Sequence, residues 1–280
     1  MPITEIIKKR FSCRTYADKP IEEETLQKLK EIMNSLPSGP FGGKPRLTLV
    51  SADSSSPQEW KQLGTYGVIK NARLFVVGAI KNTVNAMEDY GYCKELLILR
   101  ATEMGLGTCW LGGTFSSSSF AQAINLQKGE TLPSISPIGY PAQRKSLAEK
   151  MMRSVNGSDK RKPWSELFFA DNFSTRLTQA QAGTYAEALE NIRIGPSATN
   201  KQPWRVLFET KRNILHFYIE RALSYKLMGM VFLQDIDLGI AMSHFALTLQ
   251  EQGIKGKWLV DATAPIEKAT DYIVSWQSEN

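Results

Sequence analysis

The sequence predicts a mixed fold of helices and strands built as two tandem halves, the second a shortened version of the first. Three observations carry this expectation. Stretches of helical and strand-like periodicity follow one another in the same order in both halves. Gly105-Leu106 and Trp110-Leu111 align without a gap on Gly253-Ile254 and Trp258-Leu259, and the same offset places Gly91 on Gly239 and Leu97 on Phe245. Pro37-Ser38 with Pro45 answers Pro196-Ser197 with Pro203, one residue longer in the first half, as an internal duplication would leave it. A chain of 280 residues can bury one large core or two ordinary ones.

From the N-terminus, Ile3, Ile6 and Ile7 recur at helical spacing over residues 2 to 10. Leu26, Leu29, Ile32 and Met33 do so over 21 to 35, where Pro20 and the acidic Glu22, Glu23 and Glu24 mark a helix start. RLTLV (46 to 50) and ARLFVVGAI (72 to 80) read as strands, the second apolar enough to be buried on both faces. Tyr90, Cys93, Leu97, Ala101 and Met104 predict a core helix from about Met87 to Met104, stopped by Gly105-Leu106-Gly107. GTCWLGG, a Ser-rich loop, a short helix near 116 to 125 and a strand from Ile135 to Tyr140, ended by Pro141, complete this half. The polar stretch from Gln143 to Pro163 reads as a surface excursion. The second half then runs through a helix from about Ala180 to Ile192, the loop GPSATNKQPWRV, strands at RVLFET and ILHFYIE, a long helix near 232 to 252, and a closing pair, KWLVDA and DYIVSW.

An apolar fraction of 42% with 22% charged residues belongs to a chain that folds. The start, MPITEIIKKRFSCRTY, lacks the apolar core of a secretion signal, and no run approaches the ~18 apolar residues of a membrane span, so a soluble cytoplasmic protein without a membrane partner is expected. The glycan acceptor patterns at Asn156-Gly157-Ser158 and Asn172-Phe173-Ser174 carry no weight in that setting. Cys13, Cys93 and Cys109 form no CxxC pair, and His216 and His244 stand far apart in apolar company. Packed side chains explain all five better than a metal site does. The formal charge of +6 is scattered, with Lys160-Arg161-Lys162 its densest run, which argues for a small anionic ligand and against nucleic acid.

Two segments bear chemistry. In RFSCR, Arg10, Ser12 and Arg14 stand at alternate positions of an extended stretch and can point the same way, and guanidinium groups offer phosphate permanent charge and bidentate donors. On its own this pattern is as common on solvated surfaces. In Pro196-Ser197-Ala198-Thr199-Asn200 and Gln202-Pro203-Trp204, prolines stiffen a loop whose short polar side chains can read a polar ring edge or a hydroxyl chain. The matching PSGPFGGKP of the first half keeps the turn and lacks the asparagine and glutamine.

RFSCRTY with the KPI that follows, GPSATNKQPWRV, GLGTCWLGG and KRKPW together resemble the flavin-dependent nitroreductase family. In that family R-R-S-x-R-x-[FY] comes first, then A-P-S-x-x-N-x-Q-P-W, then a G-x-G-T-x-W-[IL]-G-like segment, then a basic pair before proline. Here the proline and asparagine motif stands last. The resemblance implies an α+β, nitroreductase-like fold in which residues 1–164 and 165–280 are degenerate copies forming an intramolecular pseudo-dimer. The family's FMN takes its phosphate contacts from one subunit and the asparagine loop from the other. A fused pair with one composite site would then explain why each half keeps only one motif.

Carried over residue by residue, the resemblance assigns Arg10, Ser12 and Arg14 to the phosphate and ribityl end, with Phe11 in place of a second basic residue. Pro196, Ser197, Ala198 and Asn200 would reach the ring and ribityl chain from the other half, supported by Gln202. Trp110, Leu111, Gly112 and Gly113 match the backbone beside the isoalloxazine, although many relatives have an acidic residue at the position of Gly112. Lys160, Arg161 and Lys162 match the basic pair near the phosphate. The implied activity is transfer of hydride from NAD(P)H through FMN to a small-molecule acceptor such as a nitroaromatic or quinone, with no catalytic side chain required. A degenerate flavin-binding or flavin-less protein without reductase activity is the rival expectation, motivated by Phe11, Gly112 and the absent second Arg cluster.

Overall fold

The computed structural model describes residues 1–51, 69–113, 115, 117–143, 157, 160–230 and 232–279. Most of the stretch from Gln143 to Pro163, including Asn156 and Ser158, lies outside the described residues. The first half contains helices α1 (Ile3–Lys9), α2 (Glu23–Ser35), α3 (Ala86–Glu103) and α4 (Ser117–Ala123), with strands β1 (Arg46–Ser51), β2 (Leu74–Lys81), β3 (Gly107–Thr108), β4 (Glu130–Thr131) and β5 (Ile135–Gly139). The second contains α5 (Trp164–Leu167), β6 (Phe168–Ala170), β7 (Asn172–Arg176), α6 (Gln179–Ala182), α7 (Ala186–Ile194), β8 (Trp204–Glu209), β9 (Ile214–Ile219), α8 (Leu223–Leu227), α9 (Phe232–Glu251), β10 (Gly256–Leu259) and β11 (Asp271–Ser278).

Each half folds around an antiparallel sheet, and the strand orders correspond. The first runs β1-β2-β5-β3, with β4 also paired to β2. The second runs β8-β9-β11-β10, with β6 and β7 added beyond β8. In both, an antiparallel pair of strands precedes the long helix, and the last strand of the half inserts between that pair and the strand after the helix. β6 departs from this pattern by pairing parallel to β8. A three-residue strand placed by a partner far along the chain leaves no periodicity to read. The helix expected from Ala180 to Ile192 is broken instead, because Gly183 takes a positive φ of 55° and starts a one-turn 3-10 segment before α7.

The halves meet where α3 crosses α9. Gly91 lies against the carbonyl of Ile236, and Gly239 lies against the carbonyl of Glu88, so a Cβ at either position would collide with the opposite backbone. Glycine is required there by close approach. Apolar side chains fill the seam: Ile80, Ala86 and Tyr90 from the first half pack with Tyr225, Leu233, Ile236 and Ile240 from the second. α1 inserts Ile6 and Ile7 against Leu99, Ile194 and Leu247, tying the N-terminus to both long helices. Glu88 is buried at this crossing, and desolvation, reinforced by Asp235, pushes its carboxyl up to about 7. Among the described residues no helix is long and apolar enough to cross a membrane.

Candidate functional site

A cavity of about 900 Å³ opens beside this seam and is walled by both halves. That volume lies in the range of small-molecule sites, ~300–1,000 Å³. On the first-half side, α1 ends and the chain continues extended from Arg10 (φ −61°, ψ 128°). Ser12 bridges Thr108 in parallel, and Cys13 N–H donates to the Thr108 carbonyl at 2.8 Å. This edge pairing buries Cys13 in the core and leaves Arg10, Phe11, Ser12 and Arg14 lining the cavity. It also lays them beside Trp110, Leu111, Gly112 and Gly113, which line the same wall.

The two arginines are held differently. Arg10 lies 3.9 Å from Glu95, a fully buried carboxylate that also accepts from Trp110 Nε1 at 2.8 Å. The other oxygen of Glu95 faces His244 Nε2 at 3.0 Å, while His244 Nδ1 lies 2.9 Å from the Asn191 carbonyl. A carbonyl only accepts, so Nδ1 carries a proton and His244 is clamped between the halves. Arg14, 9% exposed, forms no ion pair among the described residues and leaves its buried Nε without a partner. Its Nη1 reaches only the Ser12 carbonyl, at 3.4 Å.

On the second-half side, the loop after α7 is pinned residue by residue. Ser197 Oγ accepts from Gln202 N–H at 2.8 Å, and Ala198 N–H donates to Asp237 Oδ1 at 2.9 Å. Thr199 and Tyr225 share a hydroxyl hydrogen bond of 2.8 Å. Asn200 Nδ2 donates to the carbonyls of Gly157 and Lys160, while its Oδ1 accepts from Arg161 Nη1 and Gln202 Nε2. Its carboxamide is thereby saturated by protein. Thr199, Asn200 and Gln202 have φ of 43°, 56° and 49°. Asparagine tolerates that region, whereas a β-branched threonine there is strained.

Most of the predicted residues therefore share one cavity: Arg10, Phe11, Ser12, Arg14, Trp110, Leu111, Gly112, Gly113, Arg161, Pro196, Ser197, Ala198 and Asn200 all line it. Three stand off it. Gln202 is buried behind the loop, where its Oε1 accepts from Lys162 N–H at 2.8 Å. Lys160 is exposed and contributes its carbonyl to Asn200. Lys162 lines a separate cleft with Arg205, Glu166 and Glu220, where burial and then Arg205 lower its pKa.

Sequence reasoning missed an apolar set from the second half, Tyr225, Met228, Met230, Leu233 and Ile240, which completes the cavity. It also missed three buried ionisable groups. One is Glu95, which joins Arg10, Trp110 and His244. Lys94 is fully buried behind the wall, 3.0 Å from Ser134 Oγ and 4.7 Å over the Trp110 ring, and burial drives its pKa well below that of an ordinary lysine. Asp237, 3% exposed, lines the cavity, and burial raises its pKa well above the ordinary carboxylate range. A signal for Asp237 existed: Asp89-x-Gly91 and Asp237-x-Gly239 fall at the offset that relates the halves.

The family model described as "Putative TM nitroreductase" matches residues 2–249. The chain belongs to this nitroreductase family. A crystal structure of a Thermotoga maritima protein, itself described as a "putative nitroreductase", is similar with a TM-score of 0.62 at 20% identity, covering 99% of this chain and 93% of that one. An FMN-dependent nitroreductase from Clostridium difficile matches 50% of this chain and 88% of its own, at 23% identity and a TM-score of 0.42. A nitroreductase from Bacteroides fragilis, solved with bound FMN, matches 52% of this chain and 91% of its own, at 21% identity and a TM-score of 0.40. No curated protein matches the sequence.

Proposed function

We propose that the chain is a fused pseudo-dimer, residues 1–164 and 165–280, that binds one FMN in the cavity between its halves and acts as an NAD(P)H-dependent oxidoreductase. The pseudo-dimer reading is supported by the shared strand order and by the reciprocal approach of Gly91 to Ile236 and of Gly239 to Glu88. The observation that carries the FMN reading is Arg14: a permanent cation, 9% exposed and without an ion pair among the described residues, on the wall of a cavity of about 900 Å³. Burying such a group without a partner is unfavourable, and an anionic phosphate would satisfy it.

When bound, FMN would supply two-electron redox chemistry between NAD(P)H and a nitroaromatic or quinone-like acceptor. The chain's own residues bind and orient. Arg14 and Ser12 would hold the phosphate and ribityl end, and Arg10 would add charge from an orientation set by Glu95. Arg161 joins them from the far side, anchored on the Ile194 carbonyl by Nε and Nη2 at 3.2 and 3.1 Å. Glycine at 112 leaves room for Leu233, with which a Cβ there would collide, and Gly113 lies against Met230. Met230, Leu233 and Ile240 exclude water from that side of the cavity, which strengthens every polar contact inside. Asn200, with its amide spent on protein groups, positions the loop.

Purified protein is expected to be yellow with flavin absorption bands, to bleach with NAD(P)H under argon, and to recolour when a quinone is added. A colourless protein that leaves added FMN unquenched overturns the reading. A yellow protein that does not bleach supports the rival without reductase activity, for which the Phe11 and Gly112 departures speak.

A further inference from the structure

His216 and His244 are both buried, and their ring partners differ in kind. His216 Nδ1 lies 2.7 Å from the Ser275 hydroxyl, and its Nε2 lies 3.2 Å from Glu209. A hydroxyl donates as readily as it accepts, and the Tyr272 hydroxyl, 2.7 Å from Ser275 Oγ, extends the chain of donors, so a neutral ring satisfies both contacts. Burial lowers the pKa of His216 in keeping with this. His244 has no such freedom. Its Nδ1 faces the Asn191 carbonyl at 2.9 Å and its Nε2 faces Glu95 Oε1 at 3.0 Å, and neither oxygen donates unless Glu95 itself is protonated.

The groups around Glu95 oppose that protonation. Its Oε2 accepts from Trp110 Nε1 at 2.8 Å, and Arg10 lies 3.9 Å from its Oε1. Lys94, its neighbour on α3, turns to Ser134, and burial drives its amine toward the neutral form. A buried carboxylate persists where cations and donors meet both of its oxygens. The extra proton therefore belongs to the ring, and both nitrogens of His244 donate.

Resting on the FMN reading, we infer that His244 is an imidazolium that shares Glu95 with Arg10, so that the three groups together present a net positive charge to the ligand's phosphate through Arg10. Of the three, Arg10 alone lines the cavity. His244 is thus a positioning residue of the second half for a cation of the first. It balances the charge of Glu95, which keeps that carboxylate as an anchor for Arg10 and Trp110 without cancelling the guanidinium.

The test uses the full chain, freed of flavin, with FMN and riboflavin as paired probes, because the two differ only in the phosphate. His244→Gln removes the positive charge and keeps an N–H for Glu95. By fluorescence quenching FMN then binds about fivefold to tenfold more weakly while riboflavin stays within about twofold of the parent, since the lost charge acts on the phosphate. Adding Glu95→Gln to His244→Gln removes the opposing charge as well, and the preference for FMN over riboflavin returns to that of the parent. Nitrogen NMR of the parent labelled at its two histidines shows, at neutral pH, protons on both ring nitrogens of His244 and on one of His216. Circular dichroism melts confirm that each variant folds. The inference is overturned if His244→Gln weakens both flavins alike, as a purely structural contact would, if it leaves the FMN preference unchanged, if the double variant does not restore that preference, or if His244 holds a single ring proton. A parent protein that takes up neither flavin overturns the functional reading and the phosphate contact with it, and the NMR spectrum then decides the charge of His244 by itself.

Discussion

The loops that follow Pro37 and Pro196 sit at corresponding places beside an aspartate on a long helix, yet one is relaxed and closed while the other is strained and open. The first carries its left-handed turn on Gly42, at φ 91°, where no side chain resists, and saturates Asp89. The second carries positive φ on Thr199, Asn200 and Gln202 and leaves a buried Asp237 oxygen without a hydrogen-bond partner among the described residues. Strain and unpaired polar atoms persist in folded chains where surrounding contacts enforce them, and they concentrate at sites of function. The contrast points to divided labour: one loop completes a structure, the other completes a site.

The correspondence can be broken first at the helix crossing. Gly91→Ala and Gly239→Ala each push a methyl into the opposite backbone, and each should lose roughly 2–4 kcal/mol of stability in urea melts. A large cost at one glycine with none at the other would deny the two-fold relation of α3 and α9.

Glu88 tests the asymmetry within that crossing, because Ile236 takes its place in the second half. Its folded pKa of about 7 exceeds the ordinary 4.5, so between those values the folded state holds more protons than the unfolded one. Stability is then greatest at low pH on this account, falls as pH rises through that window, and levels above it. Glu88→Gln should remove the dependence and gain up to about 3 kcal/mol at pH 8 relative to pH 4.5, checked by urea melts at both values.

The two arginines separate binding from folding. Arg14→Ala should weaken FMN binding by roughly 1–3 kcal/mol in a fluorescence titration, with little change in melting. Arg10→Ala should also lower stability, by about 1–3 kcal/mol, because it strips a cation from the buried Glu95. The smallest effect is expected at the strained turn. Thr199→Asn relieves the positive φ but gives up the hydroxyl hydrogen bond to Tyr225, so a thermal melt should stay within about 0.5 kcal/mol of the parent, whereas the same change at Thr48 in β1, which relieves nothing, should lower stability.

Much of this was legible because its signals are local. Alternation in RFSCR and the spacing of GPSATNKQPW each lie within one short segment, and the side chains they place, Arg10, Ser12, Arg14 and Ser197, do line one cavity. The shared offset of Gly91 and Gly239 in the sequence marks two positions where glycine is required by close approach of the opposite helix. What stayed hidden depends on long-range packing. Asp237, Glu95 and Lys94 occur on long helices whose burial erases the polar face that would have announced an ionisable group, since α9 is apolar nearly all round. Which of Lys160, Arg161 and Lys162 turns inward depends on Asn200, which accepts from Arg161 and holds the Lys160 carbonyl. β6 escaped notice because its pairing with β8, not its own sequence, makes it a strand.

The composite cavity is tested most directly by the stoichiometry of flavin uptake, measured by titrating the flavin-free chain with FMN and following fluorescence quenching to saturation at a known protein concentration. One FMN per chain is the predicted result, since the guanidinium groups come from one half and the strained loop from the other. Two per chain, or none, would contradict it.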